Sequence, residues 1–379
     1  MVVCKKDYLT ANGIFATCHK RKREFLNGMN NIENFRSIAK RTGYDKMPAQ
    51  FQTCPSLAKK LDQYMKETGF DFTPTIVDVP DLVPKRASEE TFLKYFNYSF
   101  KKGTYIDEYG TAHEPGSEAA FHMTKMHFPL GNFDSVEQIQ AYPFPDFVGV
   151  DDTAQREAVK NAHAKDMVAV GNMQCTIWER SWYMRGMENL MADMMMEDPI
   201  ATALLDKITE ISTLRAQSFV KNGVDMLFLG DDIGMQHTIM MSEQFYCEWI
   251  QPRLAKVINA ARAINPNIIV FYHSCGFVTP MIPHLIDAGI DVLNPVQPEC
   301  MNFKEIHDKF GDKLSFSGTI GTQTTMPFGT PQEVKREVWK NLEIAGDKGG
   351  LFVCPTHLLE PEVPVENVIA YIEACKEFK

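Results

Sequence analysis

Residues 268–297 read IIVFYHSCGFVTPMIPHLIDAGIDVLNPVQ. The segment opens on a continuous apolar run, 268–272, the character of a strand covered on both faces. His273-Ser274-Cys275-Gly276 stands at its end, a helical stretch follows, and a second apolar run fills 292–296. Strand, crossover and strand in this span make a βα unit, and such units build parallel sheets.

The same rhythm extends to both sides. Residues 167–173 (MVAVGNM), 226–230 (MLFLG), 314–318 (LSFSG) and 351–354 (LFVC) read as further buried strands. Helical segments lie between them: 242–263 ends before Asn265-Pro266, 331–345 is closed by Gly346, and 365–378 follows Pro361 and Pro364. An early strand is expected at 47–54, after the turn Thr42-Gly43-Tyr44-Asp45. The expected fold is therefore α/β, a distorted (β/α)8 TIM barrel with seven of eight strands visible, and the whole of 1–379 reads as one domain. Residues 75–160 break the rhythm with aromatics, Gly and Pro, and read as an inserted cap over the barrel. Its histidines, His113, His122 and His127, read as hydrogen-bonding groups rather than ligands.

Composition narrows the function classes. The chain carries 39 Lys and Arg against 49 Asp and Glu, and a net charge of −10 works against nucleic acid or anionic lipid as a partner. The basic run 20–23 reads as a solvated helix end. Lys5, Lys6 and Asp7 interrupt the first apolar stretch, so no signal peptide is expected, nor any membrane span. Nine irregularly spaced cysteines point to reduced thiols and a cytoplasmic location. The chain is compatible with a homodimer.

In a parallel barrel, functional groups sit where strands end. Four runs end in polar residues: Asp231-Asp232, His273-x-Cys275, Asn294-Pro295-Val296-Gln297, and Cys354-Pro355-Thr356-His357. His-x-Cys reads either as an ordinary buried core pair or, with the second Cys/His pair also at a strand end, as half of a zinc site, since Zn2+ accepts mixed N and S donors and a catalytic site keeps about three protein ligands. Cys354 and His357 each offer the missing donor. Asp231 and Asp232 read either as helix caps or as carboxylates that orient a ligand imidazole or a substrate proton. Met191, Met194, Met195 and Met196 read as helix packing.

These segments resemble the uroporphyrinogen decarboxylase superfamily, and within it the corrinoid-linked methyltransferases. The likeness rests on GDDIGMQHTIMMSEQFYCEWIQPRL (230–254), the stretch 271–297, SFSGTIGTQ (315–323) and PTHLLEPEVPVENV (355–368). It implies zinc held by His273 and Cys275 and by a later residue. Counting back from Pro361 and Pro364, the family cysteine falls on His357, with Cys354 one strand-end position earlier. Gln297 stands where the related cobalamin-independent methionine synthase places a ligand carboxylate. The decarboxylase itself is expected to carry an arginine-rich segment near its first strand; 47–56 (MPAQFQTCPS) has none.

The resemblance thus implies a zinc methyltransferase that passes a methyl group from a small methoxylated compound or methylamine to a corrinoid. No Asp-x-His-x-x-Gly motif occurs, so the corrinoid belongs to a partner protein. The aromatics of 92–109, with Trp178 and Trp182, read either as ordinary packing or as the wall of an apolar substrate pocket. A methylcorrinoid:thiol transferase and a metal-free decarboxylase are the alternatives.

Overall fold

The structure, a computed structural model, describes residues 28–117 and 124–378. Strands β1 (Ile76–Val79), β2 (Val168–Gln174), β3 (Met226–Gly230), β4 (Ile269–His273), β5 (Val292–Asn294), β6 (Ser315–Ile320) and β7 (Leu351–Pro355) lie side by side in sequence order. Every neighbouring pair is parallel. Helices connect successive strands, and the sheet curls as a distorted TIM barrel. All residues of β5, β6 and β7 are buried, which explains why these strands read as apolar runs broken only by Gly, Ser, Thr and a terminal Asn294.

Two expectations are corrected. The segment 47–54 is not a strand: it meets the chain beyond β7 through one bridge, Thr53 to Leu359, with Cys54 N–H donating to Leu359 and Leu359 N–H to Gln52. Pro48 and Pro55 bound it and limit the ladder it can form. The first strand is instead Ile76–Val79, within the span read as an insertion; at four residues between Pro74 and Pro80 it is too short to stand out. The stretch 242–263 is two helices, Glu243–Trp249 and Gln251–Ile264, divided at Ile250. Pro252 has no N–H to continue the first helix's bonding, while it suits the opening turn of the second. Strand β5 likewise stops at Asn294 because Pro295 cannot donate to the ladder.

Tyr105–Ile106, Ala112–Glu114 and Lys125–His127 form a separate three-stranded antiparallel sheet. His113 pairs with Asp107 at 3.2 Å and His127 with Glu114 at 2.9 Å, so both act as hydrogen-bonding groups. His122, Lys20 and Arg23 lie outside the described residues. Met194 is buried, but Met195 and Met196 are exposed, which limits the packing role to part of that methionine run.

Candidate metal centre

Alternation along the strands turns one set of side chains into the barrel, where they line a cavity of about 630 Å3. His273 is the last residue of β4 and points into it, with Phe271 two positions earlier. Beyond His273 the chain must turn back at once. Gly276 does so at φ +85°, against the Met235 carbonyl, where a Cβ would come within 2.6 Å. Gln297 accepts the Gly276 N–H at 3.0 Å, and Asp232 Oδ1 accepts the Cys275 N–H at 2.7 Å. Together they pin the loop that carries the thiol.

Asp232, His273 and Cys275 converge, their donor atoms all within 4.8 Å of one another. Tetrahedral ligand bonds of about 2.0–2.3 Å put neighbouring donors about 3.3–3.8 Å apart. His273 Nε2 lies 3.4 Å from Cys275 Sγ and 3.8 Å from Asp232 Oδ1, spacings that fit a zinc ion between them. Asn294 Oδ1 stands 2.7 Å from His273 Nδ1. That contact places the imidazole proton on Nδ1 and turns the Nε2 lone pair toward the sulfur. Burial alone lowers the His273 pKa, but the Cys275 sulfur, its hydrogen bond to the ring, the Asp232 carboxylate and Asn294 raise it to about 10. Such a concentration of negative charge around a buried imidazole is what a cation would neutralise.

The other expected residues fall as follows. Cys354 is buried at the end of β7, 3.5 Å from the Ser317 hydroxyl, and His357 lies just beyond; both line the cavity, but neither belongs to the three-donor cluster. Asp231 is fully buried, and its carboxylate accepts the N–H groups of Ile177 and Glu179 at 2.9–3.1 Å. It therefore ties down the helix after β2, Trp178–Arg185, rather than the segment following it or the imidazole. Gln297 acts on the backbone of Gly276.

Of the two readings of those aromatics, the pocket wall is the one not met. No residue of 92–109, nor Trp178 or Trp182, lines the cavity; Phe92 and Tyr109 are buried elsewhere, Phe92 against Tyr142. Phe51, Phe72, Tyr183, Phe228 and Phe271 form the wall instead. Glu179 and Tyr183 were not anticipated. The Tyr183 hydroxyl donates to Glu179 Oε1 at 2.9 Å, and the other oxygen accepts the Asp232 N–H at 3.1 Å. Burial, and then the Asp232 carboxylate, raise the Glu179 carboxyl. The signal was present in WER, just past the strand 167–173, a strand end left out of the polar set. Asn294 belongs to the strand-end motif Asn294-Pro295-Val296-Gln297, and it is Asn294 rather than Gln297 that meets the imidazole.

Residues 176–378 match the family model described as uroporphyrinogen decarboxylase (URO-D). The chain belongs to the uroporphyrinogen decarboxylase family. Among its curated relatives within that family's reach is the methylated-thiol–coenzyme M methyltransferase of Methanosarcina mazei, 27% identical over 207 residues, which are 52% of this chain and 49% of that protein. A uroporphyrinogen decarboxylase of Vesicomyosocius okutanii is 26% identical over 188 residues, 49% of this chain and 51% of the other. The chain thus spans about half the length of the curated relatives it matches. A solved methyltransferase from Methanosarcina mazei superposes with a TM-score of 0.60 over 92% of this chain and 99% of the other, at 18% identity, a likeness of fold. Among the described residues of this URO-D family member, no helix is long and apolar enough to cross a membrane.

Proposed function

We propose that this URO-D family protein is a zinc-dependent methyltransferase that takes a methyl group from a small methylated compound and passes it to a corrinoid held by a separate protein. The observation that carries the reading is the convergence of one donor atom each from His273, Cys275 and Asp232 at the strand ends; two of these residues, His273 and Asp232, line a cavity of about 630 Å3. Those three atoms hold the ion, with His357 and then Cys354 as candidates for a further position. When bound, zinc supplies a Lewis acid that draws electron density from the substrate heteroatom. Asn294 keeps the imidazole oriented, Asp232 and Gln297 keep the thiol loop in place, and Phe228 and Phe271 exclude water. The chain works as one barrel unit, and the span 75–160 both supplies its first strand, Ile76–Val79, and carries the small antiparallel sheet. Its described cysteines are free thiols, which suits the cytoplasm.

Among the described residues lining the cavity there is no lysine or arginine, so a polycarboxylate porphyrinogen would lack guanidinium partners there. The likeness to a methylated-thiol enzyme favours one second reading, transfer from a methylcorrinoid to a thiol. The test mixes the zinc-loaded protein with a reduced corrinoid carrier and a panel of methyl ethers and methylated amines, following the cobalt absorption change. Methylation of the carrier by a panel member is expected. Decarboxylation of uroporphyrinogen without metal would contradict the reading, and thiol-dependent demethylation of the carrier alone would reverse its direction.

A further inference from the structure

The cavity's walls and charge are at odds with an anionic or plain ether ligand. Asp78 on β1 and Glu179 face it in addition to Asp232, while no lysine or arginine does so among the described residues. One zinc ion on Asp232, Cys275 and His273 would be formally neutral, since the two anionic ligands cancel its charge. The carboxylates of Asp78 and Glu179 are therefore not offset by any fixed cation lining the cavity. Around them stand aromatic faces: Phe51 is stacked on Phe72 at 5.1 Å, and Phe228 lies 6.1 Å from the His273 ring, next to the metal donors. Gln50 lines the same wall, and its Nε2, closed off from solvent, has no hydrogen-bond partner; a turn of the amide toward the cavity would give that donor an oxygen on the ligand.

We infer that the methyl donor is a permanently cationic methylated ammonium compound carrying a hydroxyl or similar acceptor, held by aromatic faces and the carboxylates of Asp78 and Glu179. Aromatic surfaces with nearby carboxylates recognise quaternary ammonium because its charge is diffuse and weakly hydrated. The inference rests on the methyltransferase reading and narrows it. The quaternary nitrogen has no lone pair to give to zinc, so the Lewis acid would act on the donor's hydroxyl oxygen, while the C–N bond breaks with its electron pair left on nitrogen, the leaving group is a neutral tertiary amine, and the methyl carbon bonds to the electron pair of the partner's reduced corrinoid. An ether would depart as an alkoxide and would need a more positive site.

The experiment measures binding of choline, of its neutral isostere 3,3-dimethylbutan-1-ol and of anionic 4-methoxybenzoate to the full chain by calorimetry, with zinc and after chelation. Choline is expected to bind about 10-fold tighter than the alcohol in zinc-loaded protein, the size of a desolvated cation–π and charge contribution. Asp78→Asn should weaken choline about fivefold and leave the alcohol unchanged, so the alcohol reports that the variant is folded; Phe228→Leu, which alters the apolar wall that both compounds meet, should weaken choline more than the alcohol. Equal affinity for choline and alcohol, no choline binding, or tighter binding of the benzoate would overturn the inference. Choline binding without methyl transfer from any donor would instead overturn the methyltransferase reading. Transfer from an anionic ether without choline binding would leave that reading and remove this one.

Discussion

Asp232 changes how the candidate zinc site is understood, because spacing in the sequence drew attention to Cys354 and His357 while the geometry brings a carboxylate from the preceding strand to the His-x-Cys pair. Cys354 has a reason to stay out: burial pushes its thiol up, and a ligand must be the thiolate. We expect Asp232→Ala to weaken zinc binding in competition with a chelator, and His357→Ala to weaken it more than Cys354→Ala. Loss only in Cys354→Ala would return the third ligand to β7. Asn294 acts through the imidazole, and removing such an orienting partner typically costs about 10–100-fold in metal affinity. Asn294→Ala should show that loss with an unchanged circular dichroism spectrum. The His273-x-Cys275 pair was legible because adjacent strand-end residues share one loop. Asp232, Asn294 and Glu179 were harder to assign because their roles depend on which strands become neighbours.

The order of strands β2 to β7 was readable from apolar runs alone, since burial on both faces leaves no room for alternation. What the runs could not reveal was β1, at four residues, or the division of 242–263 at Ile250, where propensity gives way to Pro252. The ends of β3 and β4 make a sharper point. Gly230 packs so close to His273 that a Cβ there would lie 2.7 Å from the histidine's own Cβ and carbonyl. Gly230→Ala should therefore push β4 away from Asp232 and lower zinc affinity more than it lowers Tm; the reverse order would mean that the contact is only packing. Asp231 joins β3 to the helix Trp178–Arg185 through backbone N–H groups. Asp231→Ala leaves them buried and unpaired, and unfolding by urea should show a loss of about 2–4 kcal/mol. A change under about 0.5 kcal/mol would be that of an ordinary surface site and would contradict this role.

The small antiparallel sheet is joined to the barrel through Asp107, whose carboxylate receives Arg180 at 2.8 Å and His113 at 3.2 Å. Burial raises this carboxyl, yet the His113 hydrogen bond and the Arg180 charge outweigh it and hold the pKa below the ordinary 3.8. A depressed folded-state value stabilises the protein above the unfolded pKa and is lost as pH falls through the folded one. Asp107→Asn should therefore lower Tm at neutral pH, and its difference from wild type should shrink in acid below the ordinary carboxylate value. A constant difference across that range would remove the ionic part of the attachment. The barrel, its cavity and this attachment together set the candidate metal donors at the strand ends, and their holding zinc is the central proposal. Its most direct measurement is elemental analysis of the purified chain after zinc supply and dialysis, beside Cys275→Ala of unchanged circular dichroism. The account predicts about one zinc per wild-type chain and little in the variant; equal zinc in both, or none in either, would contradict it.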